Sequence, residues 1–220
     1  MPKHSLRTCP RRDLDESTAA ERYPLASKKP SVVFLRATAK VLRSFPNFAP
    51  VDGESDTALG DWYVNRLSVD HQPLLLLVSA RTLLPIVIPA RNVRELPGVL
   101  PDLVRARLER LGVAHPLIDA EISAMDQVVV TKTKDRSVVG IMVDFGLAIP
   151  HHVTRGTWNE ASLPLLEARL ARTPCYSSRP GDECVFPDRD TPVRLANRWL
   201  AGYQALQLPG GWGSRHGGRR

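Results

Sequence analysis

From Pro73 to Ala90 the chain reads PLLLLVSARTLLPIVIPA, and little else it could form is compatible with this stretch. About 18 apolar residues is the shortest length that spans a membrane. However, Arg81 stands at the centre of the run, where insertion costs about 2.5–3.5 kcal/mol, and Pro85 interrupts its second half. The reading that satisfies both is a hairpin of two buried strands, Leu74–Ser79 and Leu83–Ile88, turning through Ser79-Ala80-Arg81-Thr82. Strands that are apolar on both sides need cover on both faces, so helices must flank the sheet. Pro85 has no N–H for a ladder and belongs at a sheet edge or a bulge.

The remaining periodicities supply the rest of an α+β fold. Val32–Leu35 and Gln127–Thr131 are short runs rich in β-branched residues, and Asp61–Leu67 alternates; all three predict strands. Helices are predicted from Thr38 to Phe45 and from Pro97 to Leu111, the latter with Val99, Leu103, Ala106, Leu108 and Leu111 as its apolar stripe and Gly112 as its left-handed cap. Further helices are predicted over Pro116–Met125, Ser137–Ile149 (stopping before Pro150), a segment capped by Asn159 and carrying Leu163, Leu166 and Leu170, and Thr191–Leu206. The expected architecture is one domain over residues 31–208 with a single small mixed or antiparallel sheet covered by several helices. Residues 1–30 read as a disordered basic tail and 209–220 as a disordered Gly/Arg tail.

The net charge of +7 would suggest nucleic acid if it lay on the folded part. It does not. Residues 1–30 hold seven Lys/Arg and four Asp/Glu, residues 209–220 hold three Arg, and 31–208 are left with 20 basic and 19 acidic residues. Any nucleic-acid binding is therefore expected to be weak, salt-sensitive and confined to the tails. Cys9, Cys175 and Cys184 lack the number and spacing of a zinc site, although a Cys175–Cys184 bridge is compatible with their shared loop. No metal and no cofactor is expected. His151-His152 is placed in a loop after the helix. No apolar segment follows the basic start as in a secretory signal, and the chain is expected to be soluble and cytoplasmic, with no membrane partner.

The chemistry-bearing stretch is Lys132-Thr133-Lys134-Asp135-Arg136-Ser137-Val138-Val139-Gly140-Ile141-Met142-Val143-Asp144-Phe145, at a strand-to-helix junction. With the helix starting at Ser137, Val138, Ile141, Met142, Phe145 and Ile149 share a buried face. Asp135 or Ser137 caps the first amides. Gly140 costs about 1 kcal/mol relative to Ala in a helix, which suggests that another backbone approaches it. Arg136 sits at the positive end of the helix dipole, a misfit of about 0.3–1 kcal/mol. It should be balanced by Asp61, Asp135, Asp144 or an anionic ligand. Lys132, Thr133, Arg136 and Ser137 together are candidates to hold a phosphate or carboxylate. A second constellation, Gly60-Asp61-Trp62-Tyr63, combines a glycine turn, a carboxylate and two rings. It is either a binding lip or a strand with one ring inward and one outward.

These residues resemble an uncharacterised family of small bacterial proteins, a domain of unknown function. The resemblance covers about residues 31–185. It rests on a strand like Val33–Arg36, the start Thr38-Ala39-Lys40, Gly60 to Tyr63, Thr82-Leu83, and a block matched at Lys132, Thr133, Arg136, Ser137, Val138, Gly140, Met142, Asp144 and Phe145. The family's Asn before the Asp is Val143 here. The resemblance implies that the block is a family hallmark and assigns it no activity.

Three functions fit the residues. The leading expectation is a non-enzymatic binding or regulatory module with a protein partner. The second is a small enzyme on an anionic substrate, with Arg136 and Lys132 holding the anion, Asp144 as base and Trp62/Tyr63 stacking the substrate. The third is weak nucleic-acid binding through the tails. Ser/His/Asp, paired-carboxylate and dinucleotide signatures are absent from the sequence.

Overall fold

A computed structural model of the chain describes residues 30–48, 50–153, 159–176 and 184–207, the last seven of these by backbone alone. The five strands are β1 (Val32–Ala37), β2 (Trp62–Val69), β3 (Gln72–Ser79), β4 (Pro85–Pro89) and β5 (Gln127–Lys132). They form one mixed sheet in the order β4-β3-β2-β1-β5. β1 runs parallel to both β2 and β5, whereas β2, β3 and β4 form an antiparallel meander. The helices are α1 (Ala39–Leu42), α2 (Leu96–Arg110), α3 (His115–Ser123), α4 (Arg136–His152), α5 (Leu163–Ala171) and α6 (Pro187–Gln207).

The apolar run is the β3–β4 hairpin, and both of its faces are covered. On one side Leu75, Leu77 and Ile86 pack with Leu35 and Trp62 of the sheet, with Leu100 and Val104 of α2, with Ile118 of α3 and with Leu195 of α6. On the other, Leu76, Val78 and Val87 pack with Met142 and Phe145 of α4 and Leu166 and Leu170 of α5. Among the described residues no helix is long and apolar enough to cross a membrane. Pro85 opens β4, an edge strand, where its missing N–H removes nothing from the ladder.

The outer edge of β4 is closed by side chains. The Glu167 carboxylate accepts the Val87 N–H at 2.9 Å, and the Arg107 guanidinium donates to the Pro85 carbonyl at 3.0 Å. Arg107 and Glu167 lie 3.6 Å apart and are both buried, and Arg110 reaches the same carboxylate at 2.8 Å. The pair thus stands in for a further strand at an edge that would otherwise template aggregation. Burial lowers the Arg107 pKa from its ordinary value, and Glu167 opposes that shift.

Several helix limits and faces differ from expectation. α1 ends at Leu42 rather than Phe45, because Pro46 bars the residue before it from helical geometry. The buried stripe of α2 is Leu96, Leu100, Val104 and Leu108, an i, i+4 row, and Val99 faces out. α4 runs through Pro150 to His152, placing both histidines in its last turn. Pro150 has no N–H to give the Gly146 carbonyl, so that one helical bond is forgone near the end of the helix. α6 begins at Pro187, four residues before Thr191, with proline in the first turn and the Asp190 carboxylate accepting the Phe186 N–H at 2.7 Å. Cys175 and Cys184 are free thiols, and burial pushes the Cys175 pKa up to about 12. The expected tails lie outside the described residues, apart from Pro30.

β2 and β3 join through Asp70-His71, with φ of 49° and 65°. This is the left-handed pair that a tight hairpin demands and that a glycine at the second position serves best. His71→Gly is expected to stabilise the fold by about 1 kcal/mol. That would raise the melting temperature by about 2–4 °C for a chain of this size; differential scanning calorimetry reads it directly.

Candidate functional site

The parallel register sets Tyr63, Arg36 and Thr131 in one row across β2, β1 and β5, all on the α4 side of the sheet. Arg36 is 1% exposed. A guanidinium so deep needs a full set of acceptors. Its Nε donates to Asp61 Oδ2 at 2.7 Å and its Nη2 to the Gly53 carbonyl at 2.8 Å. The other oxygen of Asp61 accepts from the Ser55 N–H and hydroxyl, at 3.2 and 2.7 Å. Lys134 donates to the same Gly53 carbonyl at 3.0 Å and holds its ammonium 3.9 Å from Asp61. The Tyr63 hydroxyl accepts the Asp135 N–H at 3.2 Å, and Asp135 caps α4 by accepting the Ser137 N–H at 2.8 Å. Burial raises the Tyr63 pKa, and the nearby Asp61 and Asp135 carboxylates add to this. The cluster ties segment 53–55, three strands and the start of α4 to one buried ion pair.

The expected site residues therefore divide. Asp61 does neutralise an arginine, but that arginine is Arg36 and not Arg136. Arg36 was the missed residue, and its signal was a lone charge inside the apolar run Val32–Ala37. Arg136 is exposed and makes no hydrogen bond or ion pair among the described residues. Asp144 is also exposed, and it lines a separate 150 Å³ hollow with Phe145 and Cys175. Lys132 is exposed and Thr133 half-buried, with no bond joining either to Arg136. Trp62 and Tyr63 form no lip: they point to opposite faces of the sheet, and both are buried. The Trp62 indole N–H finds no acceptor among the described residues. Gly140 admits no close backbone, as a Cβ there would meet nothing within 4 Å. Val143, where the resembled block carries Asn, is 51% exposed.

What does open beside the block is a cleft of 570 Å³. Ser137 and Val138 at the start of α4 form one wall, the β3–β4 turn from Ala80 to Leu83 another, and Arg194 and Asn197 of α6 a third. Its floor is held by three buried hydroxyls. Thr191 donates to Thr82 at 2.9 Å, Thr82 and Ser79 are 3.0 Å apart, and Ser79 accepts the Leu84 N–H at 3.0 Å. Leu83 sits between them at φ 57°, a left-handed conformation that a leucine adopts only when its surroundings impose it.

The two arginines of the cleft are placed by one turn, Thr57 to Gly60. Arg81 donates to the Thr57 carbonyl and Arg194 to the Ala58 carbonyl, each at 3.4 Å. The opposite side of the same turn is gripped by the buried Glu121, which accepts the Ala58 and Leu59 N–H groups at 2.8 and 3.0 Å and the Trp199 indole at 2.9 Å. Burial raises the Glu121 pKa, and these donors and Arg81 oppose the rise. Gly60 is required here: its φ is +77°, and a Cβ would come within 3.0 Å of Arg81 Cγ. Both guanidiniums are exposed, and among the described residues neither joins an ion pair. Among those residues no group of three or more His, Cys, Asp or Glu is disposed to hold a metal.

Fold and site together define an α+β protein with a mixed five-stranded sheet, a buried arginine–aspartate lock, and an arginine-flanked cleft at the start of α4. Residues 34–190 match the family described as Domain of unknown function (DUF6933), and the chain belongs to it. The match takes in Arg36, Asp61, Arg81 and the whole block and ends at Asp190, so Arg194 and Asn197 lie just beyond. No curated protein and no solved structure matches the chain.

Proposed function

We propose that this protein is a non-enzymatic binding module that takes a small carboxylate- or phosphate-bearing ligand in the cleft between the β3–β4 turn, α4 and α6. The observation that carries this reading is the convergence of Arg81 and Arg194. Two elements far apart in sequence bring a guanidinium each to one turn, where weak bonds to carbonyls orient them; among the described residues neither forms an ion pair, although Asp135 and Asp190 also line the cleft. A planar guanidinium is suited to paired recognition of carboxylate and phosphate. Asn197 adds a polar group to the α6 wall, while the start of α4 presents its Asp135 cap to the cleft. Lys134 of the block supports the same division of labour, because it is engaged with Gly53 and Asp61 in the lock and leaves the cleft to carry recognition.

Isothermal titration with inorganic phosphate and with succinate tests this. Each of Arg81→Ala and Arg194→Ala is expected to weaken binding about tenfold, the loss of one charge-assisted hydrogen bond of about 1.5 kcal/mol. Arg136→Ala, outside the cleft, should leave it unchanged. Absence of binding by either anion at millimolar concentration, or binding that falls with Arg136→Ala and not with the other two, would overturn the proposal.

A further inference from the structure

Four arginines from three separate segments surround a hollow of 470 Å³ that shares no residue with the cleft. Arg43 ends α1. Arg66 follows Trp62 and Val64 on β2, both buried on the α2 side, and the two-residue period of a strand keeps it on that side. Val93 is buried in the same core and pins the single helical turn Val93–Glu95, beside which Arg91 and Arg94 stand exposed. Arg91 is paired with Glu160. Arg43, Arg66 and Arg94 are exposed and join no ion pair among the described residues. Glu95, the only carboxylate lining the hollow among those residues, takes a hydrogen bond from Asn92 at 3.2 Å. Like charges gathered in this way repel one another, and a bound anion relieves them.

Ser44 and Arg94 also line a second hollow, of 440 Å³, so the two lie side by side. The second is apolar, with Phe45 and Phe48 on one wall and Val128, Val129 and Val130 of β5 on another. Side chains alternate along a strand, so three successive residues meet one hollow only where the strand is seen edge-on. β5 is an edge of the sheet. Gln127 donates its N–H to the Ser31 carbonyl at 3.0 Å, and the parallel ladder then turns Val129 inward and Val128 and Val130 outward. Each of these two residues presents an N–H and a C=O that have no partner among the described residues. The β4 edge, by contrast, is closed by Glu167 and Arg107.

We infer that the paired hollows are a nucleotide site, taking a free nucleoside di- or triphosphate. A nucleobase carries donors and acceptors in the plane of its ring, which suit the outward N–H and C=O groups of β5. Its faces stack on aromatic side chains, which Phe45 and Phe48 supply. The phosphates fall to Arg43, Arg66 and Arg94, whose planar guanidiniums hold phosphate by paired hydrogen bonds. A peptide strand would use the edge and leave the arginines unanswered; an inorganic anion would do the reverse. Each hollow lies within the range of about 300–1,000 Å³ usual for small-ligand sites.

A ¹H–¹⁵N correlation titration of the full chain with ATP, read at the Val128 and Val130 amides, tests the inference. Both amides are expected to shift with a dissociation constant of about 10–100 μM. Adenosine and tripolyphosphate, each only part of the ligand, should bind there at least about 100-fold more weakly. Arg43→Ala, Arg66→Ala and Arg94→Ala should each weaken ATP about tenfold. Phe48→Ala should do the same through lost stacking. All four side chains are exposed, so far-UV circular dichroism should not change. Val128 and Val130 amides that stay still at millimolar ATP would overturn the proposal. So would an affinity that falls with Arg81→Ala or Arg194→Ala and not with Arg66→Ala, or tighter binding of a single-stranded oligoadenylate than of ATP. Protection of these two amides from hydrogen exchange without ligand would also overturn it, as the mark of a peptide or a second copy seated on the edge.

Discussion

Arg36→Met is expected to lower the stability of the fold by about 3–5 kcal/mol, the usual consequence of removing one partner from a buried ion pair. The side chain is 1% exposed and Asp61 6%, so the orphaned carboxylate cannot recover its charge partner from water. Ser55 would still donate twice to it, and Lys134, at 3.9 Å, would remain its only nearby cation among the described residues. Losing Arg36 would also strip a donor from the Gly53 carbonyl and loosen the segment that covers Phe34. Urea denaturation followed by tryptophan fluorescence measures the change through the midpoint. Converting both members, Arg36→Met with Asp61→Leu, should restore much of the loss, because an apolar pair of similar volume pays no desolvation. A single substitution costing less than about 1 kcal/mol would mean that the lock is not what joins β1, β2 and the 53–55 segment.

Glu167→Ala is expected to be similarly severe, about 3–5 kcal/mol, for a related reason at the other end of the sheet. Its carboxylate serves the Val87 N–H, Arg107 and Arg110 at once. Its loss strands a buried guanidinium and reopens the edge of β4. Two readouts separate these effects. Chemical denaturation reports the stability, and light scattering on gentle heating reports the exposed edge. Glu167→Gln keeps an acceptor for Val87 while removing the charge; it should therefore destabilise less and aggregate less than the alanine variant. Equal aggregation of the two would show that charge alone guards that edge.

Much of this architecture is written in local pattern. The hairpin followed from a run too apolar to expose and too interrupted to span a bilayer. Pro85 announced an edge, Gly112 a helix end (φ +78°), and the spacing from Val138 to Ile149 the buried side of α4. Helix starts were harder, because tertiary contacts set them: α6 gains its first turn from Asp190 reaching back to Phe186, a bond that no hydrophobic period reports. The candidate site was half legible for the same reason. Asp61 could be recognised as the acid that neutralises an arginine, yet nothing along the chain says that the arginine is 25 residues away on a neighbouring strand. Arg81 was visible only as an obstacle to a membrane span. Its partner Arg194 sits on a helix more than a hundred residues later, and their meeting at Thr57 and Ala58 depends on Glu121 holding that turn from beneath. Pairings across such separations live in the topology and not in any motif.

The division between a structural lock at Arg36–Asp61 and a recognition cleft at Arg81–Arg194 is tested most directly by locating an anion on the protein. A ¹H–¹⁵N correlation titration of the full chain with inorganic phosphate should shift the amides of Ala80 to Leu83, Ser137 and Asn197, and the side chains of Arg81 and Arg194. The amides around Asp144 should stay still. Perturbations centred on Arg136 and Asp144, or spread without a centre over the basic surface, would contradict it.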